Sequence, residues 1–459
     1  MRNVCSIQSL AFAFLLLSAV ADASTSPMMR TEKEALYSLI RSFVGDAWNG
    51  SDLFPDPCGW TPIPGVSCDL FDGFWHVTAI SIGPIQDNSI QCNPAAEFSP
   101  FLFEFRRLKS LSLFNCFARS TLMPAHRWDW EKLAGSLQTL ELRSNPGLTG
   151  GIAAAIASLA KLRSLVMIEN GLSGELPASL GNLSELKQLV LSGNGFWGGI
   201  PPSIGALKQL LILDLSRNSL NGSLPAALGG LASLLKLDLS SNSLDGQLPF
   251  ELGELKNLTL LDLRHNRFSN GLPLSLLQMA SLEEIFLSNN PIGGSLMESG
   301  WANLKSLMVL DFSNISLAGE IPESMAEMRR LRFLALNNNR LCGKIPANVR
   351  QMPCITAVYL DGNNLTGEIR LKKRLAASAW DNQGDGCLPA GVVGKGVGSA
   401  GYENGGPGSS DPYGSKTAMG GRDWNASGDS RVSRCDAGWW GLSTAEIVVG
   451  VATSLLLLL

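Results

Sequence analysis

The chain has 459 residues, 45% of them apolar and only 17% charged, with a formal net charge of −4. That length supplies a large buried core. The lack of a basic excess argues against a nucleic-acid binder, and the aliphatic content excludes wholesale disorder.

In chain order, residues 1–23 read as a secretory signal peptide. Arg2 supplies positive charge, Leu10–Val20 the apolar stretch, and Ala19-Val20-Ala21 and Ala21-Asp22-Ala23 are both A-x-A cleavage patterns. An N-terminal membrane anchor would need about 20 residues, more than this run holds. The chain would then pass through an oxidising compartment. Residues 24–107 are expected to form an N-terminal cap. Thr31-Glu32-Lys33-Glu34 predicts a capping box, and Ala35, Leu36, Leu39, Ile40 and Phe43 then mark one helical face.

Residues 108–370 carry a repeat of about 24 residues. The pattern L-x-x-L-x-L-x-x-N begins at Leu137, Leu162, Leu186, Leu210, Leu234, Leu258, Leu282, Leu307, Leu331 and Ile355, with a weaker copy from Leu108, eleven units in all. Leu213 and Leu215 alternate with Asp214 and Ser216, which predicts a short strand with one buried face. The asparagine falls at the bend after the strand, where a buried amide can satisfy backbone groups of its own and the next unit. Asn145, Asn170, Asn194, Asn218, Asn242, Asn266, Asn290, Asn339 and Asn363 hold this place; one repeat has Ile315 instead, with Asn314 one position early, and distortion is expected there. After the asparagine comes L-x-G-x-[IL]-P, as in Leu172-Ser-Gly174-Glu-Leu-Pro177. These features resemble the plant-type subclass of leucine-rich repeats. The resemblance implies an α/β repeat solenoid, a superhelix with a parallel sheet on its concave side.

Trp48, Pro57-Cys58-Gly-Trp60 and Gly65-Val-Ser-Cys68 resemble the N-terminal cap of plant extracellular repeat proteins, with three extra residues between the cysteines. On that resemblance Cys58 pairs with Cys68, and Cys92 is the choice for Cys116. A metal site would want a C-x-x-C pair or a nearby His, and neither is present. At the far end Cys354 and Cys387 could close a C-terminal cap over residues 371–390. Cys342 is open between a buried free thiol and a cap pair.

Residues 391–428 are a Gly-rich flexible linker. The linker's Gly396-Val-Gly398-Ser-Ala-Gly401 is a literal G-x-G-x-x-G, but no strand precedes it and no helix comes after it, so no dinucleotide or other cofactor is expected. Residues 429–459 form a polar spacer and an apolar tail. With the small residues Ala426-Ser427-Gly428 they have the layout of a lipid-anchor (GPI) attachment signal, Ser427 being the candidate site. A membrane-spanning tail is the competing reading. Sequons lie at Asn49, Asn182, Asn221, Asn257, Asn314, Asn364 and Asn425.

Partner-facing candidates are the outward strand positions: Val166, Ile168, Val190, Ile212, Asp214, Arg217, Lys236, Asp238, Leu260, Asp262, Arg264, His265, Glu284, Phe286, Phe333 and Tyr359. Asp214, Asp238 and Asp262 would stack about 5 Å apart. Each pair would repel by about 1 kcal/mol in water, which Lys236, Arg217 and Arg264 can offset without a metal. The apolar and aromatic members look the better interface residues. Catalysis lacks support, because His76, His126 and His265 are far apart in a linear solenoid and no G-x-S-x-G elbow occurs.

A closer resemblance lies in Asp52–Asp69, Trp75-His-Val-Thr, Phe114-Asn-Cys-Phe117 and Arg143-Ser-Asn-Pro-Gly147. These are similar to plant leucine-rich-repeat receptor-like proteins without a kinase, and the chain is also similar to the too-many-mouths type. The resemblance implies a non-catalytic protein at the extracellular face of the plasma membrane, held by a lipid anchor or C-terminal tail. It would bind a peptide, glycan or protein on its concave face and signal through a partner receptor kinase, in perception of a root-colonising fungus. The alternative is a secreted inhibitor of a microbial wall-degrading enzyme.

Overall fold

The alternating leucines of each repeat have one place to go once neighbouring units stack: inward, behind a shared sheet. The computed structural model describes residues 27–84, 90–124, 127–152, 154–366 and 376–378. In it the strands Ser110–Phe114, Thr139–Arg143, Ser164–Ile168, Gln188–Val190, Ile212–Asp214, Lys236–Asp238, Leu260–Asp262, Glu284–Phe286, Val309–Asp311, Phe333–Ala335 and Ala357–Tyr359 lie side by side and parallel. Their central residues Leu213, Leu237, Leu261, Ile285, Leu310, Leu334 and Val358 are buried. The sheet begins earlier than the repeats do. Phe74–Ile82, inside the expected cap, pairs in parallel with Ser110–Phe114 and antiparallel with Val66–Phe71. It also runs later, since Ala376–Ser378 pairs with Ala357–Tyr359. The result is a 14-stranded sheet.

A second set of strands comes after the asparagine bends. Seven run from Thr121–Leu122 to Arg267–Ser269, and three more from Ala318–Glu320 to Asn364–Thr366. In most repeats a proline then leads into a single 3₁₀ turn, as at Pro201, Pro225 and Pro249. These turns bury apolar anchors, such as Ile204, Leu228 and Leu252.

The asparagine ladder forms as the spacing predicts. Asn266 Nδ2 donates to the carbonyls of Leu239, Leu263 and Arg264, and its Oδ1 accepts from Leu244 N–H at 3.0 Å. Asn218, Asn242, Asn290, Asn339 and Asn363 repeat the same set in their own turns. The residue before each is left-handed, as at Arg217, Ser241 and His265, with φ 54° at all three. Asn314, at φ 51°, therefore occupies this ordinary turn position, which Asn tolerates. It is not a displaced ladder residue; Ile315 alone is the departure, and it is buried.

At the N-terminal end, α1 (Arg30–Val44) buries the predicted face. Its start differs from expectation. The N-cap is Met29, with no side-chain cap, and the Thr31–Glu34 capping box does not form. Glu34 pairs instead with Arg30, and Glu32 is drawn across to the sheet, where it accepts from Val77 N–H at 2.9 Å and meets His76 Nδ1 at 2.7 Å. The box fails because the helix already starts at Arg30, which puts Thr31 inside it, and because Glu34, the acid the box needs, is taken by Arg30. Cys58–Cys68 and Cys92–Cys116 are both disulfides. Cys342 and Cys354 are also disulfide-bonded, which corrects the free-thiol reading of Cys342. Cys387, Asn425, Ser427, the linker and both chain ends lie outside the described residues. Among the described residues, no helix is long and apolar enough to cross a membrane.

Candidate ligand surface

The short strands place two outward side chains per repeat, so the concave face carries two rows. One runs Ser164, Gln188, Ile212, Lys236, Leu260, Glu284, Val309, Phe333 and Ala357. The other runs Val166, Val190, Asp214, Asp238, Asp262, Phe286, Asp311, Ala335 and Tyr359. Strands about 4.8 Å apart press these side chains against their neighbours. Val166, Val190, Leu260 and Phe286 are in consequence buried and are poor contact residues on their own. Ile168, Ile212, Phe333 and Tyr359 remain half-buried. Arg217 and His265 are exposed but sit in the left-handed turns beyond the strands, at the rim of the face.

The aspartates have a first task in the fold. Asp214, Asp238 and Asp311 each accept through Oδ1 from the N–H and hydroxyl of the serine two residues on, closing the turn. Asp262 does the same for Arg264 N–H. Their second oxygens are left for cations. Lys236 Nζ lies 3.5 Å from Asp214 Oδ2 and 3.6 Å from Asp238 Oδ2. Arg264 grips Asp262 through Nε and Nη2, the latter at 2.6 Å, and lies over the Phe286 ring at 4.7 Å. Arg217 does not share in this, since it reaches Glu169 instead.

Burial sets the protonation of this stretch. The Asp238 carboxyl is pushed up to about 7, first by loss of water and then by the Asp214 and Asp262 carboxylates, against the pull of Lys236 and the Ser240 hydroxyl. Burial alone would lower the Lys236 ammonium; Asp214, Asp238 and Asp262 outweigh it and hold it above its ordinary value. Glu284 is raised as well, by burial and then by Glu283 and Asp262. Its Oε2 is buried with no hydrogen-bond partner. Sequence reasoning favoured the apolar residues here and gave Glu284 no special weight; a lone acid between Leu260 and Val309 in the outward row was the available signal. At the C-terminal end the rings of Phe333 and Tyr359 meet at 5.3 Å. Among the described residues, no group of three or more His, Cys, Asp and Glu could hold a metal ion.

A capped solenoid with a two-row parallel face is the fold of a plant-type leucine-rich-repeat solenoid. Known proteins agree: leucine-rich-repeat family models match residues 199–244, 185–207 and 257–279. The chain resembles Piriformospora indica-insensitive protein 2 of Arabidopsis thaliana, 54% identical over 154 residues, 34% of this chain and 36% of that protein. It also resembles Receptor like protein 29 of Arabidopsis thaliana, 34% identical over 178 residues, 37% of each. The matched stretches thus span little more than a third of these curated relatives. Among solved structures, the plant peptide hormone receptor RGFR1 in complex with RGF2 superposes with a TM-score of 0.58 at 28% identity, over 62% of this chain and 46% of that one.

Proposed function

We propose that this protein is a non-catalytic receptor-like protein of the plant cell surface that binds a peptide or protein ligand on its concave face. The observation carrying this is the face itself: two continuous rows whose polarity changes along the solenoid, from valines through a charged stretch to an aromatic pair. Such a graded surface reads an extended partner one strand at a time, and the similar peptide hormone receptor RGFR1 is a complex with RGF2. Output passes through a partner receptor kinase, and the setting is perception of a microbe at the root, as the likeness to Piriformospora indica-insensitive protein 2 suggests. Retention at the membrane is by lipid anchor or C-terminal tail.

The test is complementation. Plants lacking the gene are expected to lose their response to a beneficial root-colonising fungus and to regain it with the native protein. A folded variant with Phe333→Arg and Tyr359→Arg should fail to restore it. Full restoration by that variant would remove the concave face from the function. Treatment of intact cells with phosphatidylinositol-specific phospholipase C addresses the anchor: release supports lipid attachment, and retention at the membrane supports a spanning tail. Protein free in the medium beforehand favours a secreted inhibitor.

A further inference from the structure

Between Ile212 and Asp311 the two concave rows hold five carboxylates, Asp214, Asp238, Asp262, Glu284 and Asp311, against one cation, Lys236, with Arg264 joining from just beyond the strand end at Asp262. Four of the five have an internal use, since each aspartate closes a turn. Glu284 has none. It is 7% exposed, its row neighbours are the hydrocarbon side chains of Leu260 and Val309, and Oε2 has no donor. Lys236 stands two strands away in the same row and is already held between Asp214 and Asp238. Arg264 is committed to Asp262. A buried acid without a donor costs stability, and leucine at this position would satisfy the packing. An acid kept here is explained by a cation that arrives from outside.

We propose that Glu284, with Asp262 beside it, receives a lysine or arginine side chain of an extended basic peptide laid across the concave strands. This rests on the peptide-binding reading above and specifies the chemistry of the ligand. A guanidinium or ammonium supplies the donors that Oε2 lacks, and the negative excess of the rows favours its approach. The aromatic pair Phe333 and Tyr359 begins two strands further on, about 10 Å away. An extended peptide spans that in about three residues. The ligand therefore pairs a basic residue with an apolar one about three positions along.

The test begins with selection of a random dodecapeptide display library on the purified full-length protein. Lysine or arginine should be enriched among the bound peptides, with an apolar residue at the stated spacing. The tightest peptide is then synthesised with its basic residue as arginine or as the neutral isostere citrulline. The native protein should prefer arginine by about tenfold or more. Glu284→Gln and Glu284→Leu should erase the preference, and Glu284→Leu should melt higher than the native protein, since it replaces an orphan carboxylate with a well-packed side chain. If Glu284 is merely a protonated filler, Gln leaves the preference intact, and that result overturns the proposal. Enriched peptides without basic residues would overturn it while leaving peptide binding standing. Recovery of no peptide at all would overturn both. Putrescine displacing the peptide at equal concentration would show a bare cation site and end the peptide assignment.

Discussion

The concave and outer sheets of the solenoid meet the same sequence irregularity and respond differently. The concave sheet runs unbroken past Ile315, with Glu284–Phe286 paired to Val309–Asp311 and that strand to Phe333–Ala335. The outer sheet stops at Arg267–Ser269 and resumes only at Ala318–Glu320, leaving one bridge, Ser295 to Ala318, between. The reason lies in what each ladder asparagine does. Its Oδ1 accepts the N–H of a residue in or next to the preceding unit's outer strand: Phe196 for Asn218, Leu220 for Asn242, Leu244 for Asn266, Phe268 for Asn290. With Ile315 in that place, Ile292 N–H has no asparagine opposite. Pro291 and the left-handed Gly293 further disfavour a strand, whereas Gly294 takes the place of Gly222 and Gly246, which are left-handed within formed strands. The concave sheet depends instead on the buried leucines, and Ile315 supplies apolar volume. The core adapts too: where neighbouring units bury Leu252, Leu276, Met325 and Val349, this one buries Trp301, led in by left-handed Gly300 in place of proline. A small cavity remains, lined in part by Leu272, Met297, Trp301 and Phe312.

Four substitutions would break or sharpen this contrast. The largest effect is expected from Trp301→Ala, which removes the compensating ring and costs about 3–5 kcal/mol; urea unfolding should place it above Leu252→Ala in the regular region. Next, Asn266→Ala strips four backbone groups of their partner and should cost about 3 kcal/mol, with the amide of Leu244 losing protection in hydrogen exchange. Ile315→Ala should leave the amide of Leu244 protected. Third is Asp238→Asn. The folded-state pKa lies near 7, above an ordinary carboxylate, so the folded state holds the proton longer than the unfolded one. Stability is then lost as pH rises from the ordinary carboxylate range through about 7. Asp238→Asn should match the native melting temperature at about pH 3.5, below the ordinary carboxylate range, and exceed it by about 2 °C at pH 8. The smallest is Ile315→Asn. Hydrogen bonds gained offset apolar burial lost, leaving global stability within about 1 kcal/mol. The Ile292 amide should nonetheless become slower to exchange; unchanged exchange would assign the break in the outer sheet to Pro291 and Gly293 instead.

Much of the fold was legible because it repeats. A 24-residue leucine and asparagine pattern names the strand, its inward side and the bend, and ten nearly equal copies cancel local noise. Less of the surface was legible. Alternation told which side chains point out of the sheet, but pointing out is not the same as being exposed. Val166, Val190 and Phe286 face outward and are covered by neighbours from adjacent repeats 24 or 25 positions away. The same holds for charge. Asp262 and Arg264 could be paired from their spacing, whereas Arg217, three residues after Asp214, turned to Glu169, 48 residues earlier.

The sequence alone thus determined the repeat, the inward leucines and the asparagine ladder, since each comes from residue type at fixed spacing; the two N-terminal disulfides came from the cap's resemblance to those of plant extracellular repeat proteins. Only the tertiary structure decided where the outer sheet breaks, that Glu32 leaves its helix for the Val77 N–H, and that Glu284 lies buried without a partner. Those outcomes depend on which strands of other repeats stand alongside, and on how much water they exclude.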